Sequence, residues 1–460
     1  MKDTIAAVAT ALGNSGIGII RVSGEKSIEI VDQVFRDKKN QAILNKMKSH
    51  TIRYGYIIDE KNEIVDEVMV SLMKNPHSFT TENTVEINCH GGMLVMNRIL
   101  ELVLAKGARA AQPGEFTKRA FLNGRIDLSE AEAVMDVISS SNEMALKSSL
   151  RQLKGSVSNK IKELREVILH ESAFIEAALD DPEHFSLEGY KEELISKLEI
   201  LMNRISILLD TFENGRMIKE GINTVIIGKP NVGKSSLLNI LTGEEKAIVT
   251  EIAGTTRDIL EENINLNGIE LHIMDTAGIR STEDIVEKIG VERAIKYAND
   301  ADLIIYIVDS SVPLDANDKN IIELVKNHKC IVLFNKSDLD QKISIEELTE
   351  QIGRPITIIK TSTKEHTGIN EFEQAVRNMF FSGNIFNNEE LLITNLRHKE
   401  ALQETLDSLT QVKNSIELDM PEDFYSIDLM DAYKSLGKII GEEVEEDLVN
   451  EIFFKFCMGK

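Results

Sequence analysis

Gly228-Lys229-Pro230-Asn231-Val232-Gly233-Lys234-Ser235 decides the reading of this chain. The pattern G-x-x-x-x-G-K-[ST] belongs to a loop that wraps phosphate groups in backbone N–H donors. Its glycines let the backbone come close, Lys234 supplies a point charge, and the Ser235 hydroxyl can ligate Mg²⁺. Such a loop needs a strand before it and a helix after it. Thr224-Val225-Ile226-Ile227 is a β-rich run, and Ser236 to Leu241 reads as a helix. Outward from the loop, from Asn223 to about Phe381, further β-rich runs alternate with helices: Leu271-His272-Ile273-Met274, Leu303 to Val308, Ile331 to Phe334, and Ile356 to Ile359. That alternation predicts a doubly wound parallel sheet with crossover helices.

Three more motifs follow strands of this sheet. Asp275-Thr276-Ala277-Gly278 comes after the run ending at Met274. An Asp at a strand end can hold Mg²⁺ through water, and the Gly N–H can contact a γ-phosphate. Asn335-Lys336-Ser337-Asp338 follows Phe334. The Asp338 carboxylate can accept both N–H donors of guanine's Watson–Crick edge, a pair that adenine lacks, so GTP is expected over ATP. Thr361-Ser362-Thr363-Lys364 comes after the last strand, where a backbone N–H can meet the guanine oxygen. Within Gly254-Thr255-Thr256-Arg257-Asp258, Thr256 can complete the Mg²⁺ coordination. Together, in this order, these motifs resemble those of the translation-factor-related GTPases.

One absence shapes the expected chemistry. Many small GTPases place a Gln after D-x-x-G to orient the attacking water. Here that residue is Ile279, and no arginine finger is evident, although Arg257 and Arg280 are near. Asn231 is a candidate ligand for a monovalent cation. An acid between Glu283 and Glu292 could orient the water, or these acids could form a solvated helix face.

The 460 residues are too many for one ordinary core and suggest two to four domains. An apolar fraction of 42% is that of a globular protein, and with no Trp the cores must be mostly aliphatic. The formal charge of −24 excludes a bulk basic stripe for gripping nucleic acid. Cys89, Cys330 and Cys457 show no C-x-x-C spacing, which argues against a disulfide framework and for a reducing compartment. Met1 to Ala11 has no basic region followed by a long apolar run, and no apolar run reaches about 18 residues. These features predict a cytoplasmic protein with no membrane span.

The flanks of the sheet domain differ in texture. Up to about residue 120, strand-like runs (Gly18 to Val22; Val68 to Leu72) mix with a helical run, Met93 to Leu104, as in a small α/β unit. From about Thr117 to Arg216, apolar residues recur at three and four spacings, as in Leu194, Leu198, Leu201, Ile205 and Leu208. From about Glu389 to Phe456 the chain is helical again. The expected fold is therefore multidomain: an N-terminal α/β domain (1–118) and a helical domain built from two segments (119–217 and 382–460). A Ras-like GTPase domain (218–381) is inserted between them.

Beyond the GTPase motifs, the chain carries Gly16-Ile17-Gly18-Ile19-Ile20-Arg21-Val22-Ser23-Gly24, Ser78-Phe79-Thr80 and His90-Gly91-Gly92. It also carries Pro113-Gly114-Glu115-Phe116-Thr117-Lys118-Arg119-Ala120-Phe121-Leu122-Asn123-Gly124, and it ends in Cys457-Met458-Gly459-Lys460, a C-x-G-K motif. With the inserted GTPase domain, this combination resembles the MnmE (TrmE) family of bacterial tRNA-modification GTPases over essentially the whole chain.

The resemblance implies a homodimer formed through a folate-binding-like N-terminal domain. It implies a heterotetramer with the FAD-containing flavoprotein MnmG and tRNA as the object of modification. It further implies a carboxymethylaminomethyl-type group added to C5 of wobble uridine, with the carbon drawn from a 5-formyltetrahydrofolate-type folate. GTP hydrolysis is then K⁺-stimulated and accompanies dimerisation of the GTPase domains. By resemblance, the nucleotide meets Asn231, Val232, Gly233, Lys234, Ser235 and Ser236. The next segment adds Thr250, Glu251, Ile252, Ala253, Gly254, Thr255 and Thr256. Asp275, Thr276, Ala277 and Gly278 face the phosphates, and Asn335, Lys336, Asp338, Ser362, Thr363 and Lys364 the base. Mg²⁺ falls to Ser235 and Thr256, and K⁺ to Asn231, Thr250, Ile252 and Thr255. Such a K⁺ would place charge where an arginine finger would. Glu287 maps to the water-orienting position, and Lys234, the point charge of the phosphate loop, counts with it as catalytic. Cys457 is the family's candidate reactive thiol, or else a small buried apolar residue. Folate maps to Arg21, Glu86, Arg125 and Lys460. Its glutamate tail wants cations and its pterin N–H donors want a carboxylate. Arg125 stands where many members have Lys, which keeps charge but alters geometry. An alternative is a ribosome-assembly GTPase of the Era or Der kind. Those proteins carry a KH-type RNA-binding domain after the last GTPase domain, whereas here Glu442-Glu443-Val444-Glu445-Glu446-Asp447 marks acidic helices.

Overall fold

The computed structural model describes residues 3–243, 262–266, 268–274, 298–381, 391–456 and 459. They form two compact units: residues 1–135, 152–195 and 407–460 in the first, 136–151 and 196–406 in the second. Among the described residues no helix is long and apolar enough to cross a membrane.

The first unit is built on a seven-stranded sheet, ordered β3-β4-β5-β6-β2-β1-β7. Its strands are β1 (Ile5–Val8), β2 (Ser15–Ser23), β3 (Phe35–Asp37), β4 (Thr51–Ile58), β5 (Ile64–Met73), β6 (Thr84–Gly91) and β7 (Arg109–Ala110). Period-two patterning sets the faces. Val68, Val70 and Leu72 of β5 and Val85, Ile87 and Cys89 of β6 point inward with Ile20 and Val22 of β2. Helices α1 (Ser27–Val34) and α2 (Met93–Ala105) cover that face through Val31, Val34, Met96 and Ile99. On the opposite face Arg21 stands directly across from Glu86 in the β2–β6 register.

Helices follow: α3 (Glu115–Leu122), α4 (Leu128–Ser139), α5 (Glu143–Leu153), α6 (Ser156–Asp180), α7 (Tyr190–Asp210) and α8 (Phe212–Glu220). All five apolar residues expected to form the stripe of α7 are buried. In the first unit α6 packs against α14 (Glu422–Ile440), so two segments distant in sequence make one helical body. Ser172 meets Ser426 at 3.3 Å. Arg165 pairs with Glu442 and lies 3.9 Å from the centre of the Tyr433 ring.

The second unit holds a six-stranded sheet, ordered β13-β12-β11-β8-β10-β9. Strands β8 (Ile222–Ile227), β10 (Ile269–Ile273), β11 (Leu303–Asp309), β12 (Cys330–Asn335) and β13 (Thr357–Lys360) run parallel. The edge strand β9 (Glu262–Leu266) is antiparallel to β10. Strand β11 is buried along its whole length because both faces are covered. Leu303, Ile305 and Ile307 join the core beside α9 (Lys234–Gly243) and α12 (Ile369–Phe381). Ile304, Tyr306 and Val308 join the core beside α10 (Ala316–Val325) and α11 (Ile345–Ile352). Further helices are α13 (Leu396–Glu417), which starts in this unit, and α15 (Glu446–Phe454) in the first unit.

Candidate functional site

The phosphate-type loop joins the end of β8 to the start of α9. Three of its residues sit at positive φ: Gly228 (155°), Asn231 (62°) and Gly233 (109°). A side chain at Gly233 would place Cβ 2.4 Å from the Asn335 amide nitrogen, so only glycine lets the loop approach β12 this closely. Asn335 uses that proximity. Its Nδ2 donates to the Val232 carbonyl at 2.7 Å, and its Oδ1 accepts the Thr363 N–H at 3.1 Å. One buried side chain thus binds the loop, the N-K-S-D segment and the T-S-T-K segment together.

The charges around this junction have clear causes. The Lys234 ammonium donates to the carbonyls of Gly228 at 2.6 Å and Lys229 at 2.8 Å. Burial holds its pKa below the ordinary amine value. Asp338 is exposed and accepts from the Ser362 hydroxyl at 2.7 Å, which holds its carboxyl below the usual range. Lys336 lies 2.5 Å from Asp309 at the end of β11. Burial pushes Asp309 up, but Lys336 and the Ser311 donors outweigh it and the net shift is downward. An ionised, exposed carboxylate with a steadied lysine near it in sequence is chemically suited to the reading of a guanine.

Of the expected nucleotide residues, the structure gathers Asn231, Val232, Gly233, Lys234, Ser235 and Ser236 with Asn335, Lys336, Asp338, Ser362, Thr363 and Lys364. They lie in the loop and first turn of α9 that follow β8, and at or just past the ends of β12 and β13, the carboxyl ends of parallel strands, where doubly wound sheets bind ligands. Thr250, Glu251, Ile252, Ala253, Gly254, Thr255, Thr256, Asp275, Thr276, Ala277, Gly278, Ile279 and Glu287 lie outside the described residues. Cys457 and Lys460 do too. No three His, Cys, Asp or Glu side chains among the described residues could hold a metal; the donors expected here are hydroxyl, amide and carbonyl oxygens.

The first unit carries a second constellation. Arg21 pairs with Glu86 at 2.9 Å, and both are mostly covered. Arg21 also donates to the Gly459 carbonyl at 3.1 Å, which brings the chain end to this sheet face. The Arg21 guanidinium lies 5.6 Å from the Phe116 ring centre, and Arg125 lies 4.9 Å from that of Phe79. Phe79 and Phe116 pack in one apolar cluster with Ile5, Ala7 and Ala111. Arg21, with Glu86 paired to it, and Arg125 therefore each meet a ring of one apolar cluster. Arg125 is exposed, donates to the Phe79 carbonyl at 2.7 Å, and lines a cleft of about 510 Å³ with His50, Ser78 and Asn123.

Sequence reasoning missed several participants. Asp309 ends a buried strand at the ligand-binding edge, and that position was signal enough. Phe79 and Phe116 lay within quoted motifs but had no assigned task. The partners of Lys229, Asp315 and Asp318, are 86 or more residues away, and nothing local marks them.

Known proteins match this chain along its whole length. Residues 4–125 match the family described as the GTP-binding protein TrmE N-terminus, and residues 128–457 match the MnmE helical domain. The chain is 58% identical over 458 residues to a tRNA modification GTPase MnmE of Lachnoclostridium phytofermentans, covering 100% of this chain and 99% of that one. It is 51% identical to the protein of the same name from Alkaliphilus oremlandii, with both chains fully covered. Among solved structures it matches the G domain of the T. maritima FeoB iron transporter at 29% identity, covering 34% of this chain and 98% of that one with a TM-score of 0.27. Full-length identity at this level, with both family matches in chain order, places the chain in the MnmE family, the tRNA modification GTPases.

Proposed function

We propose that this GTPase uses K⁺-activated hydrolysis of GTP to drive the addition of a carboxymethylaminomethyl-type group to C5 of wobble uridine. The flavoprotein MnmG is the partner in a heterotetramer, and a tetrahydrofolate supplies the carbon. The observation that carries this reading is the presence in one chain of both constellations: the loop gathered by Asn335, and the Arg21–Glu86 pair and Arg125 at one apolar cluster.

The residues present fit these ligands. Asn231 stands exposed at the loop's crest, where its amide oxygen can serve a monovalent cation. Ser235, in the first turn of α9, carries a hydroxyl suited to Mg²⁺. Bound there, the cations would neutralise charge developing on the phosphates. Lys234 would hold the phosphates, Glu287 would orient the water, and Thr256, Thr250, Ile252 and Thr255 would complete the ion sites. Glu86 can accept from a pterin, while exposed Arg125 and the terminal Lys460 can meet a carboxylate tail. Cys457 belongs to the same chain end and is kept as a candidate thiol. The domains are taken as 1–118, 119–217 with 382–460, and 218–381. Homodimerisation is assigned to the first and hydrolysis-linked dimerisation to the last. A chain of net charge −24 leaves much of the tRNA grip to the partner.

Deleting the gene and analysing wobble uridines of total tRNA by mass spectrometry tests this function. Loss of the carboxymethylaminomethyl nucleosides is expected, and an unchanged nucleoside profile overturns it. On the purified protein, GTP turnover should be faster in KCl than in NaCl; equal rates remove the K⁺ assignment.

A further inference from the structure

Lys229 lies inside the phosphate-type loop, yet its ammonium reaches away to the start of α10. It sits 2.6 Å from Asp318 and 3.0 Å from Asp315. Both carboxylates are fixed from behind. Asp318 is 2% exposed, accepts the hydroxyl of the fully buried Tyr306 at 3.0 Å, and accepts the Asp315 N–H at 3.0 Å. Asp315 caps α10 by accepting from the N–H groups of Asn317 and Asp318. Burial lowers the Lys229 pKa and the two carboxylates raise it, with the rise prevailing, so Lys229 keeps its charge.

The backbone of the same residue is the seat of Lys234. The carbonyls of Gly228 and Lys229 accept both hydrogen bonds that the Lys234 ammonium makes here. This stretch of loop needs outside anchors, because Gly228, Asn231 and Gly233 hold conformations that L-residues rarely adopt. Asn335 anchors the far half through the Val232 carbonyl. The geometry points to Lys229, held by Asp318 and Asp315, as the anchor of the near half: a positioning residue for GTP hydrolysis that fixes the backbone seating Lys234 and does not itself touch phosphate. A phosphate contact would require the ammonium to leave two carboxylates, one of them buried. The inference rests on the reading of Lys234 as the phosphate-binding lysine.

The test uses the full chain and measures nucleotide affinity, kcat and KM for Lys229→Met, Lys229→Arg, Asp318→Asn and Asp315→Asn, with Lys234→Ala alongside. Lys229→Met keeps the aliphatic stem, so it preserves packing while removing the charge. It should lower kcat/KM roughly tenfold to a hundredfold, the range for losing a charged hydrogen bond. Lys229→Arg should restore most of that loss, and Lys229→Met combined with Asp318→Asn should be no worse than Asp318→Asn alone. Asn caps helices as well as Asp does, so Asp315→Asn keeps α10 intact and gives a milder loss even where Asp318→Asn fails to fold. Wild-type kcat/KM in Lys229→Met, with Lys234→Ala inactive, overturns the positioning role and leaves the site reading standing. Loss in Lys229→Met with unchanged or tighter GTP binding in both Asp variants also overturns it, because that pattern marks a direct phosphate contact. Full affinity and turnover in Lys234→Ala would remove the site reading itself.

Discussion

Arg119 is the largest buried side chain of the first unit, with 1% of its surface exposed. Its guanidinium pairs with Asp3 at 3.0 Å, Glu115 at 3.0 Å and Glu82 at 3.1 Å. Arg109 shares Asp3 at 2.7 Å and Glu115 at 2.6 Å. A charge this deep is tolerated only because it is paired, and removing it strands carboxylates in a site that water reaches poorly. Arg119→Ala should therefore cost about 3–5 kcal/mol of stability at pH 7, measured by urea unfolding. The same cluster sets a pH dependence. A hydrogen bond from Arg109 holds Asp3 below its ordinary 3.8. Burial pushes Glu115 up, but Arg109, the Gln112 N–H and Arg119 outweigh it, so it lies below its ordinary 4.5. A carboxyl with a depressed folded pKa contributes stability that is complete above its unfolded value and disappears as pH falls through the folded one. The urea midpoint of wild type should hold steady down to about pH 4.5 and fall below it, and Arg119→Ala should flatten that fall; parallel curves for the two proteins would refute the assignment. The sequence placed Arg119 in a notable motif without disclosing this task, since its partners Asp3 and Glu82 are far from it along the chain.

At the scale of elements, the turn from β8 into α9 is where sequence and structure meet most closely. The central parallel strands were legible because β11 and β12 are short, nearly continuous apolar runs: Leu303 to Val308 reads as a strand covered on both faces. Strand β9 escaped notice because Glu262-Asn263-Ile264-Asn265-Leu266 is half polar, as an edge strand can be. In the N-terminal sheet, β6 was overlooked although Thr84 to Gly91 alternates, and β7 has only two residues with which to announce itself. Helix α9 begins at Lys234, three residues before its first apolar residue, Leu237, because the loop leads directly into its first turn. Gly233 makes that turn possible. Gly233→Ala would hold alanine at a φ of 109° and push its Cβ into the Asn335 amide. Melting temperature should fall by an amount reflecting at least about 1–2 kcal/mol of backbone strain alone. GTP affinity should fall further, because Asn335 can no longer reach both Val232 and Thr363. Titration with a fluorescent guanine nucleotide reads the second effect, and unchanged affinity in a destabilised variant would separate the turn from the base-reading segments.

On the scale of the whole molecule, the chain carries at least two self-sufficient cores. The first unit has its own sheet core of aliphatic side chains from β2, β5, β6, α1 and α2. The second has a core on each face of its parallel sheet. This division was foreshadowed by composition, since a 460-residue chain exceeds what one core ordinarily supports. The course of the chain between the units was less legible: the helical residues divide between them, with cuts inside α4, α5, α7 and α13, and amphipathic periodicity says which face is buried but not which partner buries it. Two cores predict more than one unfolding event, because cooperativity ends where packing does. The residues proposed to bind guanine nucleotide all belong to the second unit, so mass action should stabilise that unit's transition, by about 2.7 kcal/mol at a ligand concentration a hundred times Kd. Calorimetric scans with and without GDP check this directly. One transition should move up with GDP concentration while the other stays fixed, and Arg119→Ala should lower the one that GDP leaves alone. A single peak that shifts as a whole with GDP would mean that the two units unfold as one cooperative body, and that energy put into the nucleotide site is felt at the Arg21–Glu86 face as well.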